Sequence, residues 1–288
     1  MPGLTLEGLR SRMVRAVTDR LVGSDAIAVR AGEGGEPWLP IDSPARQVHA
    51  DIAMLAGGLR ALLLQSLHPV AMQAVDDHSG YRTDPWGRLH RTAAFVSATT
   101  FGSVDEAMER IDLVRRIHDR VTGRTPTGEP YRASDPDLLM WIHVAELDSF
   151  LAANTAYARN PLPASKIDRY IADVAPTGEA LGVIGAPRSL AELRRQLVAY
   201  RPQLRGTTVS RHAARMMLWD PPLAGAARVG FGVLAAGAAA ILPAWARSEL
   251  GLPSSVIMDR TVLRPVARSL LITLDRAFEA EGYQRSDS

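Results

Sequence analysis

Apolar residues recur along the chain at spacings of three and four, which is the period of an amphipathic α-helix. One long stretch begins at Ser43-Pro44, a helix cap followed by proline at the first helical position, and predicts a helix through Leu67. Asp84-Pro85 and Asp135-Pro136 repeat this start signal. They predict helices that end at about Phe101 and about Tyr157.

Capping boxes mark further helix starts. Ser103 with Glu106 predicts a helix that ends at Gly123, and Ser189 with Glu192 predicts another. The helix after Ser189 is predicted at 190–201, and the remaining predicted helices cover residues 6–21, 70–75, 164–174, 211–218, 223–250 with a break near Pro243, and 256–280. No stretch alternates in the manner of a strand, so the predicted fold is all-α, a single large helical domain of about ten helices. We expect it to cover residues 1–288, with its core at about 44–280.

Composition narrows the classes of function. The chain has 288 residues, of which 47% are hydrophobic and 22% charged, as in ordinary globular proteins. Its net charge is +2 and its cations are spread over many helices, which disfavours nucleic acid as a partner. The absence of cysteine excludes disulfides, thiolate metal sites and a cysteine nucleophile. Any metal or haem iron must therefore be held by histidine, carboxylate, tyrosine or methionine.

The segment 229–245 raises the question of a membrane. It is rich in glycine and alanine and contains Pro243, and it is shorter than the ~20 apolar residues that a spanning helix needs. We expect a buried helix, with peripheral or re-entrant membrane contact as the alternative. The N-terminus lacks the pattern of a signal peptide, so the predicted location is cytoplasmic, with membrane association left open.

Three polar residues share a face of the helix after Pro85. Arg88, Arg91 and Thr92 stand three and four residues apart, and this spacing brings helical side chains together. A pair of guanidinium groups beside a hydroxyl suits an anion such as a haem propionate, a phosphate or a carboxylate. The alternative is a solvated face on which the arginines pair with nearby carboxylates such as Asp84.

Two histidines are candidate iron ligands. His118 borders an apolar helix face between Val114 and Val121, where a neutral imidazole could serve as the proximal ligand of haem. A hydrogen-bonded core histidine is the alternative. His143 is the second candidate. A di-iron site is disfavoured, because it needs two Glu-x-x-His pairs and the chain offers only the reversed pair His143 and Glu146.

Several motifs in order carry a family resemblance. They are LAGGLRALLLQSLHPVAMQAVDDHS, DPWGRLHRT, VRRIHDRVTG and YRASDPDLLMWIHVAELDSFL. They resemble the bacterial proteins related to the MpaB oxygenase and the catalytic domain of rubber oxygenase (latex clearing protein), from about Arg46 to Pro253. The resemblance implies an all-helical fold that binds b-type haem. It also implies that Arg88 and Thr92 lie near the haem, with His118 as proximal ligand.

The chain departs from the family pattern at two points. Rubber oxygenases have a lysine just before the threonine, able to approach the iron, where this chain has Arg91. A guanidinium stays protonated and does not bind iron, so the rubber-cleaving mechanism does not transfer directly. The spacing from Thr92 to His118 is also shorter than in the family, which keeps His143 as a rival ligand.

These observations lead to a functional hypothesis. We expect a haem b-dependent, oxygenase-like protein that acts with O2 on a hydrophobic small molecule, unsaturated or isoprenoid in type. His118 would bind the iron, Arg88 and Arg91 would neutralise propionates or polarise bound oxygen, and Thr92 would form a local hydrogen bond. The first alternative is a helical module that binds haem or a lipid without turnover. A third, weaker alternative is a helical protein without a cofactor, whose histidines are purely structural. The oligomeric state is left open.

Overall fold

The computed structural model describes residues 35–221 and 223–280. Its helices are, in chain order, α1 (Pro44–Ala50), α2 (Met54–Gln65), α3 (Pro69–His78), α4 (Pro85–Phe101), α5 (Val104–Arg120), α6 (Pro136–Tyr157), α7 (Ile167–Leu181), α8 (Leu190–Tyr200), α9 (Thr208–Trp219), α10 (Gly225–Ala240), α11 (Ala244–Leu250) and α12 (Arg264–Ala280). A short turn, Val256–Met258, and a π-helical turn, Asp259–Leu263, lead into α12. The predicted helix at 6–21 and the C-terminal tail lie outside the described residues.

The fold is all-α, as predicted, apart from one small hairpin. The residues that follow α5 form two antiparallel strands, β1 (Thr122–Arg124) and β2 (Pro130–Arg132), with Gly123 opposite Tyr131. Gly123 is required here, because a Cβ would overlap the phenol of Tyr131. That hydroxyl donates to Asp77 at the end of α3, which fixes the hairpin to the helices. Strands this short leave no alternation that a sequence pattern could reveal.

The helix predicted from Pro44 to Leu67 is in fact two helices. Asp51 is extended, with φ −75° and ψ 140°, and its carboxylate accepts a hydrogen bond of 2.8 Å from the backbone of Ala53. A short acidic side chain competes in this way with helical hydrogen bonding. The predicted cap is present, since the Ser43 hydroxyl accepts from the backbone of Ala45 at 3.1 Å.

Local signals gave the correct boundaries for two other helices. Both α4 and α6 begin and end at the predicted residues, and the capping box of Ser103 and Glu106 forms in both directions. The box predicted at Ser189 is only half formed, because the carboxylate of Glu192 accepts from the backbone of Arg188 instead. Helix α5 ends at Arg120 rather than Gly123, because the chain turns into β1. The helix predicted at 164–174 instead covers Ile167–Leu181 after a 3-10 turn, and the one predicted at 211–218 covers Thr208–Trp219.

Helix α6 lies at the centre of the molecule. Apolar residues occur on all its faces, which is typical of a helix surrounded by protein. Trp141 and Tyr157, near its two ends, are fully buried. Among the described helix pairs, α2 and α6 pack most extensively, and α7, α8 and α12 also contact α6.

The segment 229–245 is mainly a buried helix, as expected. Helix α10 buries Phe231 and Leu234, and the chain breaks before Pro243. Its glycine content reflects close packing, because a Cβ on Gly237 would lie 2.5 Å from the Cβ of Ala267 in α12. No helix within the described ranges is long and apolar enough to cross a membrane.

A buried arginine joins three of these helices. Arg60 of α2 donates to Asp148 at 2.7 Å and to Ser149 at 2.6 Å, both in α6. Its Nε donates at 3.0 Å to the carbonyl of Ile241, which follows α10. The guanidinium is buried, and these three acceptors compensate for its lost hydration.

We expect Arg60→Met to lower the free energy of unfolding by about 3 kcal/mol, at the lower end of the range for a broken buried ion pair. The cost arises because the carboxylate of Asp148 and the carbonyl of Ile241 lose their donor. Urea denaturation measures the change. Arg188→Met, which breaks an exposed ion pair with Glu179, is the control and should cost under about 1 kcal/mol. Equal losses in the two variants would contradict a special role for Arg60.

Candidate functional site

An apolar cavity lies between α2, α3, α4, α9 and α10. Its volume is about 140 Å³. Most of its wall is aliphatic, sulfur-containing or aromatic, and includes Leu59, Leu63, Met72, Leu89, Met217 and Phe231. Two of the predicted site residues, Arg88 and Thr92, also line it. A cavity of this kind favours an apolar ligand that carries at least one polar or charged group.

Arg88 is a cation that forms no ion pair within the described residues. One carboxylate, Asp220, also lines the cavity, but its ion-pair partner is Arg228, at 3.6 Å. Arg88 is half-buried, and burial lowers the pKa of its guanidinium. Within the described part of the chain, its side chain has neither a hydrogen-bond acceptor nor a carboxylate partner. A desolvated guanidinium is costly unless an anion or an acceptor binds it. The cavity therefore offers a binding position for a ligand's negative group.

Arg91, by contrast, lies outside the cavity. Its side chain is 64% exposed, and its guanidinium is 3.5 Å from the carboxylate of Asp84. This is the solvated arrangement weighed above as the alternative for that helix face. Exposed ion pairs of this type contribute little to stability. Of the two arginines, only Arg88 contacts the cavity.

Three hydroxyl groups line the wall, and each already donates a hydrogen bond within the protein. Ser66 donates to a backbone carbonyl at 2.8 Å. Thr92 donates to the carbonyl of Arg88 at 3.1 Å, which leaves the lone pairs of its oxygen free to accept. Tyr81 donates to Asp76 at 3.0 Å, and burial, followed by this hydrogen bond, raises the pKa of Tyr81 to about 12. Thr92 and Tyr81 can therefore accept a hydrogen bond from a ligand more readily than donate one.

The start of α4 is held firmly against this wall. Asp84 caps the helix by accepting a hydrogen bond of 2.8 Å from the backbone of Gly87. Trp86 packs edge-on against Phe231 of α10, with ring centroids 5.4 Å apart. Its indole nitrogen is buried and has no hydrogen-bond acceptor among the described residues. The cap and the aromatic contact fix the helical turn from which Arg88 projects.

His118 lies on the helix beside α4. The connection Gly102–Ser103 reverses the chain, and α4 and α5 pack together. At the rise of a helix, Arg88 stands about 21 Å and His118 about 24 Å from this turn, so the two residues lie at similar levels. Burial lowers the pKa of His118, which is therefore a neutral imidazole at pH 7. Its Nδ1 is buried and has no hydrogen-bond partner in the described ranges.

His143 lies in a different environment. Its ring packs against Gly178 of α7, where a Cβ would lie 2.9 Å from two of the ring atoms. Burial lowers the pKa of His143 to about 4, and its buried Nε2 has no partner in the part of the chain that the structure describes. His143, like His118, is thus a neutral imidazole with an unsatisfied nitrogen. Neither residue lines the cavity.

Glu146 follows His143 by three residues on α6 and is a site residue that sequence reasoning underrated. Burial raises the pKa of its carboxyl to about 7, so it is partly protonated at neutral pH. Its charge also adds to the effect of burial in raising the pKa of Tyr170. The Tyr170 hydroxyl is 3.2 Å from Nε2 of His49. The sequence signal was a carboxylate within an otherwise apolar stretch, which indicates a perturbed group.

The predicted site residues therefore fall into separate places. Arg88 and Thr92 meet at the cavity, His118 lies at the level of Arg88 on the neighbouring helix, and His143 lies in the region of Glu146. In residues 35–221 and 223–280, no group of three or more histidine and carboxylate side chains could hold a metal ion. Haem iron needs fewer protein ligands, because the porphyrin supplies four and the protein one or two.

Comparison with known proteins identifies one family. A family model described as "ER-bound oxygenase mpaB/B'/Rubber oxygenase, catalytic domain" matches residues 46–271. No curated protein and no solved structure gives a match. The match runs from α1 to about the middle of α12, and it includes Arg88, Thr92, His118, His143 and Glu146.

The raised pKa of Glu146 predicts a pH-dependent stability. Between its ordinary value of 4.5 and about 7, the folded protein retains a proton that the unfolded chain has released. The free energy of unfolding therefore falls as the pH rises through this window. Glu146→Gln removes this titration, so the variant should be more stable than the wild type at pH 8, by up to ~3 kcal/mol.

Near pH 4.5 the two proteins should have equal stability, because Glu146 is then neutral in the folded state. Urea denaturation at both pH values measures the difference. Glu109→Gln, on an exposed position of α5, is the control and should show no such change between the two pH values. Parallel pH profiles for the wild type and Glu146→Gln would contradict the burial of this carboxyl.

Proposed function

Because the chain belongs to the mpaB and rubber oxygenase catalytic-domain family, we propose that it is a haem-dependent oxygenase that acts with O2 on a small hydrophobic molecule. The observation that carries the proposal is the unpaired guanidinium of Arg88 on the wall of an apolar cavity. It combines a binding position for an anion with space for a hydrocarbon group. A haem enzyme with an apolar substrate needs both.

The cavity is assigned to the substrate. Its volume of about 140 Å³ is close to that of an engineered cavity of about 150 Å³ that binds benzene. A whole prosthetic group needs more room, and drug-sized ligands occupy about 300 Å³ or more. The wall is mostly apolar, so it favours an unsaturated hydrocarbon segment of isoprenoid type over a polar substrate. Its polar residues are Arg88, Thr92, Tyr81, Gln65, Ser66 and Asp220.

The haem is assigned to the α4–α5 pair. His118 fits the proximal position, because burial keeps its imidazole neutral and one of its nitrogens has no hydrogen-bond partner among the described residues. Arg88 fits a propionate, because a guanidinium binds a carboxylate through paired hydrogen bonds. When bound, haem supplies the redox chemistry with O2 that protein side chains lack. His143 is the rival ligand, since it is equally neutral.

The other residues of α4 have supporting roles. Thr92 can accept a hydrogen bond near Arg88, because its own proton is already donated to the helix backbone. Arg91 lies outside the cavity, where its guanidinium is 3.5 Å from the carboxylate of Asp84. Its distance from the wall argues against a direct part in oxygen chemistry. The apolar side chains around Arg88 exclude water and strengthen its attraction for an anion.

One observation favours a second function, a binding module without turnover. A guanidinium at the edge of an apolar cavity also suits a lipid carboxylate, with the alkyl chain in the cavity and the anion on Arg88. The two functions differ in their response to O2. Consumption of O2 in the presence of an alkene supports the oxygenase. Stable binding of a fatty carboxylate with no O2 uptake supports the module.

Haem binding is the direct test of the site. We expect protein produced with added haem to show a Soret band, and His118→Ala to lose most of its haem while keeping its helix content. His212→Ala, on an exposed position of α9, is the matched control and should retain full occupancy. Arg88→Ala should weaken haem binding about tenfold, the loss of one charge-assisted contact, whereas Arg91→Ala should leave it unchanged.

The measurements are the haem-to-protein ratio and a titration of the Soret absorbance, and neither depends on activity. Full haem occupancy in His118→Ala, together with loss of haem in His143→Ala, would show that His143 is the iron ligand instead. A wild-type protein that binds no haem would refute the proposal.

A further inference from the structure

The approach to α12 exposes several large apolar side chains close together. Val256, Ile257 and Met258 are consecutive, and Val262 and Val266 follow at steps of four residues. Ile257 is 77% exposed, and the other four are 44–59% exposed. We call these five residues the α12 patch. Single exposed apolar side chains are common on proteins, but a contiguous set marks an interaction surface.

The opposite side of the same segment is anchored in the protein. Asp259 is buried in the π-helical turn and forms an ion pair of 2.7 Å with Arg247 of α11, which is also buried. Further along, Ala267 and Leu271 of α12 are fully buried. The segment is therefore held from within, and the exposure of the α12 patch is a property of the folded surface.

The charges around the α12 patch are of one sign. Arg260 and Arg268 are exposed, whereas Asp259, the sole carboxylate between residues 253 and 274, is buried and paired. Arg264 is half-buried and donates to the carbonyl of Ala240. The exposed charges of this segment are thus all positive. Apolar side chains interspersed with arginine are typical of a surface that rests on an anionic bilayer.

We propose that the α12 patch is a docking surface for a membrane that contains anionic lipid. The five apolar side chains enter the boundary between headgroups and acyl chains, while Arg260 and Arg268 bind lipid phosphates. A second copy of the chain fits less well, because a two-fold contact would place the same arginines of both copies in one interface. The proposal rests on exposure and charge alone and does not depend on haem.

The test uses the full 288-residue chain and sedimentation with vesicles. We expect binding to vesicles with 30% phosphatidylserine, weaker binding to pure phosphatidylcholine, and a loss of binding as salt is raised. Ile257→Glu should reduce binding to anionic vesicles at least tenfold, since it removes the most exposed apolar group and adds a repelled charge. Arg260→Glu should reduce it more than fivefold, because removal of one arginine alone costs about that factor.

Two matched variants separate the patch from general effects. Val198→Glu replaces an apolar residue of α8 that is 73% exposed, and Arg116→Glu makes the same charge reversal on α5. Both should bind anionic vesicles nearly as well as the wild type. Circular dichroism checks that each variant is folded. If these two control variants lost as much vesicle binding as Ile257→Glu and Arg260→Glu, the proposal would be overturned.

Two other outcomes would also overturn it. One is a wild-type protein that fails to sediment with anionic vesicles at low salt. The other is a dimer, seen by sedimentation equilibrium, that Ile257→Glu dissociates while vesicle binding is absent. In that case the α12 patch would be an interface between copies.

Discussion

A buried guanidinium fixes the relative positions of the central helices. Arg60 of α2 bonds to two residues of α6 and to the carbonyl of Ile241 after α10. Any slip of one helix along another would leave a charge or a carbonyl buried without a partner, which is far more costly than a shift of apolar contacts. The cavity depends on this constraint because α2 and α10 form two of its walls. The region of His143 and Glu146 depends on it because α6 carries both residues.

Arg60 and Arg88 show two uses of the same side chain. Arg60 has three protein acceptors and stabilises the fold, whereas Arg88 reaches an apolar wall and finds none among the described residues. An uncompensated cation destabilises the folded protein, and such strain is expected where a ligand completes the structure. The unsatisfied nitrogens of Trp86 on α4 and His118 on α5 belong to the same pattern. The buried polar groups of α4 and α5 thus have fewer hydrogen-bond and ion-pair partners within the described protein than those at the α2–α6 contact.

The sequence predicted what local chemistry decides. Helices that start at a capped proline, such as α4 and α6, have the predicted ends, because a cap and a fixed φ act within one turn. The break between α1 and α2 depends on one side chain, that of Asp51, which competes for backbone hydrogen bonds. The spacing of apolar residues gives no sign of such a break. Arg88 and Arg91 lie about 60° apart on a helix, too close for a pattern to tell which one faces the cavity. Tertiary packing decides that point, as it decides the raised pKa of Glu146.

His118 and His143 are the two candidate ligands of the proposed haem. Both are neutral and each has a buried, unsatisfied nitrogen, so the charges around them distinguish the two candidates. A haem brings two propionates, so its site must tolerate negative charge. His118 lies at the level of Arg88, whose guanidinium has no anion in the described structure. His143 lies one helical turn from Glu146, a carboxyl that a further anion would push towards its protonated form. Its ring is also pressed against Gly178, which leaves it little freedom to turn towards a ligand. Electrostatics and space therefore both favour His118 over His143 as the ligand of the proposed haem.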